Sequence, residues 1–172
     1  YTMDACPPLL NYRPAGNDLY AQRCVERNAQ IFNFLRRSNL TRVVLAANWP
    51  TDEEAGIRFG ETMEQLMGMG LRVTVIHRNQ FMPKGPGCAV REAMRGKTGG
   101  CATPEDDQPT YLNVMSSMFK GVVELKPNQL ICKEGSCDVV RNGVLLYRDG
   151  GHLNDLGSRA LGREFINLGY SL

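Results

Sequence analysis

Asp149 and His152 stand three residues apart in "YRDGGHLNDLGSRALG" (residues 147–162), in a chain that has only two histidines. A carboxylate that close in sequence can fix the tautomer and orientation of an imidazole acting as a general base. The apolar run Val144-Leu145-Leu146-Tyr147 has the pattern of a short strand. Asp149-Gly150-Gly151 is loop chemistry, because paired glycines allow backbone angles that other residues resist. From Leu153 the apolar spacing turns helical, through Leu156, Ala160, Leu161, Phe165 and Leu168. The pair is therefore expected on the rim of a sheet, where α/β proteins place their chemistry. The plainer alternative is a helix cap followed by a surface histidine.

Other residues fall at the ends of expected strands. Asn48 and Trp49 follow "RVVLAA", and His77 closes "LRVTVIH". One reading brings them into a common cleft with Asp149 and His152. The other makes Asn48 a turn residue ahead of Trp-Pro and Trp49 a core anchor. His77 is expected to be structural or to support other groups.

The positioning elements follow from periodicity. Residues 18–38 form an expected helix with Cys24, Val25, Ile31, Phe32 and Leu35 inward. Arg42–Ala47 is a continuous apolar run, which predicts a strand buried on both faces. Thr51 to Glu54 reads as a capping box that opens a helix carrying Phe59, Met63, Leu66 and Met67 inward. Gly68 and Gly70 end it. Leu71–His77 is the next strand, followed by a long irregular region with "PKGPGC". A helix over Tyr111–Phe119 and a strand over Gly121–Leu125 come before the final motif. This alternation predicts an α/β fold with a mainly parallel sheet covered on both faces.

The 172 residues fit a single domain with a substantial core. With 42% hydrophobic residues, 22% charged residues and a net charge of +2, the composition gives no case for nucleic acid. The Arg36-Arg37 pair reads as a solvated helix face. No apolar stretch approaches the roughly 20 residues needed to cross a bilayer, and no signal-peptide pattern is visible. Six cysteines permit 15 pairings. Cys6–Cys24, Cys88–Cys101 and Cys132–Cys137 are favoured because each closes a short loop. Zinc is the alternative, but Cys-x4-Cys without Cys-x2-Cys or a nearby histidine is a poor signature, so no metal and no cofactor is expected. Loop-closing cysteines in an even number suggest an oxidising space such as a periplasm.

"ACPPLLNY", "VVLAANW" and "ICKEGSCDVVRNGVLLYRDGGHLNDLGS" resemble, in order over nearly the whole chain, the SGNH hydrolase-like domain. More narrowly, they resemble the form fused behind the membrane acyltransferase-3 domain of bacterial O-acetyltransferases. The resemblance implies a three-layer α/β/α sandwich with a flavodoxin-like sheet. It also implies a Ser-Asp-His triad, with Asp149 as the orienting acid and His152 as the general base. Asn48 is the nearest match to the family's oxyanion donor, although it sits in "AANWP" and not in Gly-x-Asn-Asp. The expected location is the periplasmic face of the inner membrane, tethered by an upstream membrane domain.

The family's nucleophile comes from a Gly-Asp-Ser block. None of Ser38, Ser116, Ser117, Ser136, Ser158 and Ser171 lies in one. Ser158 is near His152 in sequence, but a helical serine lacks the exposed turn a nucleophile needs. The expectation is that the chain starts late, with Tyr1 in the family's second strand and the first strand and nucleophile turn upstream. The leading function is acyl transfer, acetyl above all, from an acyl donor to a cell-envelope carbohydrate. A plain esterase runs through the same acyl-enzyme, and a non-catalytic glycan-binding module is the alternative from another class.

Overall fold

In the computed structural model, residues 6–97 and 99–170 are described. The elements in chain order are α1 (Asp18–Arg37), β1 (Arg42–Ala46), α2 (Glu53–Gly68), β2 (Arg72–Ile76) and α3 (Gly85–Met94). They continue with β3 (Thr103–Pro104), α4 (Thr110–Asn113), α5 (Met115–Met118), β4 (Val123–Leu125) and α6 (Asn128–Ile131). The last are β5 (Cys132–Lys133), β6 (Ser136–Cys137), β7 (Val140–Arg141), β8 (Val144–Leu145) and α7 (Asp155–Asn167). They divide into two compact units, one over residues 1–77 and 108–125, the other over 78–107 and 126–172. The placement expected for Tyr1 lies outside the described residues, as does Ser171.

The first unit is built on a parallel sheet in the order β1-β2-β4. Its middle strand buries Val73, Thr74 and Val75, as a strand with neighbours on both sides should. The expectation that Arg42–Ala47 would be buried on both faces is not met. Leu45 is buried, but Val44 is 48% exposed. Among the described residues β1 is an edge strand: an apolar run encodes extended chain, whereas burial depends on what lies next to it.

Helix α1 begins where the Asn17 side chain accepts the Leu19 amide, and buries Ala21, Cys24, Asn28, Phe32 and Leu35 along one stripe. The Asn28 side-chain amide donates to the carbonyls of Pro7 and Leu9 at 2.8 and 2.9 Å, and Cys6–Cys24 staples the same segment. Helix α2 is capped by Asp52, whose carboxylate accepts the Ala55 amide at 2.9 Å, and not by Thr51 as the capping-box reading expects. Asp52 also accepts the Tyr12 hydroxyl at 2.7 Å, so one carboxylate serves both the helix end and a distant segment. The helix expected over Tyr111–Phe119 is two short turns separated at Val114 (φ −100°, ψ 0°), with Leu112 and Met115 both inside.

The second unit contains short antiparallel pairings in place of a further parallel strand. β3, β6 and β5 form one small sheet and β7 pairs with β8 in a hairpin. The expected strand at Val144–Tyr147 is therefore a hairpin arm, not a strand of the parallel sheet. A four-residue apolar run specifies extended backbone but not its partner. Cys132–Cys137 closes directly across β5 and β6, and Cys88–Cys101 closes the excursion carrying α3. All three disulfides pair as loop closure favours. Among the described residues no helix is long and apolar enough to cross a membrane.

Candidate active site

The Asp149–His152 motif occupies the tip of a tight antiparallel loop. The Asn154 amide donates to the Leu146 carbonyl at 2.8 Å, Tyr147 bridges to Leu153, and the Arg148 amide donates to the His152 carbonyl at 2.8 Å. The chain must reverse within residues 149–151. Asp149 makes that turn by accepting, on Oδ1, the amides of Gly151 at 2.9 Å and His152 at 2.8 Å. Both carboxylate oxygens then lie 3.0 Å from His152 Nδ1.

The electrostatics follow from these contacts. The two backbone amides, with the His152 ring adding to them, hold the Asp149 carboxyl down to about 2. A carboxylate only accepts, so the ring nitrogen facing it carries the proton. A neutral His152 then keeps its lone pair on Nε2, the arrangement a general base requires. The His152 side chain is 70% exposed, so this nitrogen is open to a reactant.

Two further segments hold the loop. From residues 79–82, the Asn79 side-chain amide donates to the Gly151 carbonyl at 3.1 Å and the Met82 amide to the Gly150 carbonyl at 2.7 Å. The hydroxyl of the buried Tyr147 donates to the Gln80 carbonyl at 2.8 Å, and burial pushes that phenol up to about 12, so it stays a donor. Gln80 is itself buried and fully engaged, donating to the carbonyls of Phe81 and Pro104 and accepting the Asp106 amide. A Cβ at Gly150 would lie 3.0 Å from the Met82 carbonyl oxygen and 3.2 Å from the Phe81 ring, which explains the glycine.

The second brace is helix α7. The Asn154 side chain accepts the Gly157 amide at 2.7 Å as N-cap while donating to the carbonyls of Leu145 and Tyr147. Gly157 lets the helix settle on the preceding strand, since a Cβ there would lie 2.6 Å from Leu146 Cα. The sequence thus folds into a strand arm, a clamped loop and a capped helix, and the carboxylate–imidazole contact is set by backbone geometry.

A family model described as SGNH domain (fused to AT3 domains) matches residues 1–167. The chain belongs to this family. No curated protein and no solved structure matches it. Membership carries an acyl-transfer or esterase-type function and a fusion with acyltransferase-3 membrane domains. The three disulfides fit the extracytoplasmic, oxidising setting such a fusion suggests.

The remaining residues singled out in this SGNH chain fall as follows. Asn48 is exposed and follows β1 in the first unit, whereas Asp149 and His152 belong to the second. Trp49 is buried, donates its indole N–H to the Ile76 carbonyl at 2.7 Å and meets Phe59 edge-on, as a core anchor does. His77 is buried, with Nε2 3.0 Å from Glu124 Oε2, in a side-chain pair that joins β4 to the end of β2. Ser38 caps α1, Ser117 bonds back to Val114, Ser136 lies in β6, Ser116 lies in α5 and Ser158 lies in α7. Among the described residues no serine occupies a strand-to-helix turn. Asn79, Gln80, Met82 and Asn154 escaped sequence reasoning. Only Asn154 carried a signal, as an asparagine near the start of the helical apolar pattern; the helix itself begins at Asp155, two residues later than the Leu153 expected from spacing.

Proposed function

We propose that this domain is an O-acyltransferase, acetyl being the acyl group, that modifies a cell-envelope carbohydrate through a serine acyl-enzyme. Asp149 orients His152 and His152 acts as general base, with the serine contributed from outside these residues. One observation carries the reading: a carboxylate clamped by two backbone amides faces His152 Nδ1 at 3.0 Å from both oxygens.

In the first step the serine oxygen attacks the acyl carbonyl carbon, and its proton passes to His152 Nε2. Asp149 stabilises the resulting imidazolium, which returns the proton to the departing group. In the second step an acceptor hydroxyl attacks the acyl-serine, its proton goes to His152, and the acyl–serine bond breaks as His152 returns that proton to the serine oxygen. Asn48 is the candidate donor to the oxyanion, together with a backbone amide. The wider reading includes a three-layer α/β/α sandwich, a single SGNH domain over residues 1–172, and anchorage at the periplasmic face by an upstream membrane domain.

An esterase is the second reading. The high exposure of His152 favours it, because water can take the place of the sugar hydroxyl in the second step.

The test is acyl transfer by the full-length protein, measured alongside its His152→Ala and Asp149→Asn variants. His152→Ala should abolish turnover, and Asp149→Asn should cost about 10³–10⁴-fold. Parental turnover in His152→Ala would refute the assignment.

A further inference from the structure

Phe81 lies between two fully buried residues, Gln80 and Met82, yet is itself 56% exposed. Isolated exposed apolar residues are common and mean nothing alone. Phe81 differs in how firmly its place is set. The Gln80 carbonyl is held by Tyr147, the Phe81 carbonyl by the Gln80 side chain, and the Met82 amide by Gly150. The Phe81 amide faces Asp106 Oδ2 at 3.4 Å. Its ring rests on the two glycines of the catalytic loop, within 3.2 Å of where a Gly150 Cβ would stand and 3.8 Å of where a Gly151 Cβ would stand. Gly150 thus lets an aromatic face lie against the loop that carries Asp149 and His152.

Polar groups lie close to it or to the loop it rests on: Asp106, whose Oδ2 faces the Phe81 amide, and Asp149 and His152, which flank Gly150 and Gly151, are all exposed. An exposed aromatic face with hydrogen-bonding side chains on the adjoining residues suits a ligand with a C–H face and a hydroxylated edge. A pyranose ring has that form. An extended acyl chain would instead need an enclosing apolar pocket, and Phe81 offers one open face.

We propose that Phe81 is the platform on which the sugar ring of the acceptor stacks, presenting its hydroxyl to His152. This deepens the acyltransferase reading and rests on it for the role of His152, but sugar binding can be measured without turnover.

The probes are methyl β-D-glucopyranoside, methyl α-D-mannopyranoside and methyl N-acetyl-β-D-glucosaminide, with sorbitol as a ringless control. Binding to the full chain is read by saturation-transfer NMR. At least one pyranoside should receive saturation on its ring C–H protons while sorbitol does not. Phe81→Leu should weaken binding about fivefold to tenfold, the worth of an aromatic contact, and Phe81→Trp should retain or tighten it. His152→Ala should still bind, so loss of turnover there with binding intact separates the catalytic reading from this one. With only two histidines in the chain, the His152 ring signal shows whether the loop stays in place. Equal binding by Phe81→Leu and the parent, no pyranoside binding, or binding lost together with a displaced His152 signal would each overturn the platform.

Discussion

Asp149 Oδ1 accepts the backbone amide of His152 at 2.8 Å while the same carboxylate meets the His152 ring at 3.0 Å. The residue that is oriented also supplies part of the clamp on its orienter. The Asp149 carboxyl sits at about 2 in the folded protein, below its ordinary 3.8. Its folded value is depressed, so the clamp is fully present above about pH 4 and is lost as pH falls through 2. An NMR titration of the Asp149 carboxyl carbon should show a midpoint near 2. A midpoint at the ordinary aspartate value would mean that the amide contacts do not persist in solution.

The Asp149–His152 contact was legible because it is local: the two residues stand three apart, and Asp149 meets both the amide and the ring of His152. The three disulfides were legible for the same reason, each closing a short loop. The exposure of β1, the antiparallel pairing of β8 and the braces from Asn79 and Gln80 were not. Each depends on what a segment meets far along the chain, as with Tyr147 and Gln80, 67 residues apart. Apolar runs such as "RVVLAA" specify extended chain and leave its neighbours undetermined. Thr51 and Asp52 are adjacent capping residues of similar strength, and the long-range Tyr12 contact marks the one that serves.

Two glycines of α7 should respond in opposite directions to the same change. Gly157→Ala pushes a methyl into the Leu146 backbone and should cost about 1–3 kcal/mol of stability. Gly162 has nothing within 4 Å of a new Cβ, so Gly162→Ala should stabilise by roughly 0.5–1 kcal/mol through helix propensity. Urea denaturation of both variants gives the comparison. Equal effects would mean that α7 does not pack against Leu146 as described.

Helix α3 contains no buried residue. Its attachments include the Cys88–Cys101 disulfide, the Lys84 ammonium donating to the Gly100 carbonyl at 2.6 Å, and the Gly100 amide donating to Glu92 at 2.8 Å. Replacing Cys88 and Cys101 by alanine should therefore loosen this excursion alone. Hydrogen exchange should speed up across residues 85–94 by at least tenfold, while Val73 and Val75 in β2 keep their protection. Uniform loss of protection would make the disulfide a support for the whole domain.

Neighbours Asn48 and Trp49 should separate chemistry from stability. Trp49 is buried, and its indole N–H satisfies the Ile76 carbonyl at the end of the middle strand. Trp49→Phe preserves an aromatic core but leaves that carbonyl without its donor, at a cost of about 1–3 kcal/mol. Turnover per folded molecule should then stay near the parental value. Asn48 is exposed, so Asn48→Ala should leave the unfolding midpoint almost unchanged. If Asn48 donates to the oxyanion, its loss should lower kcat by roughly 10²-fold or more with KM little altered, because the interaction forms only as charge develops. Measuring kcat and the urea midpoint for both variants in the full-length protein resolves the two effects. Parental kcat in Asn48→Ala would remove Asn48 from the mechanism and leave the oxyanion to backbone amides.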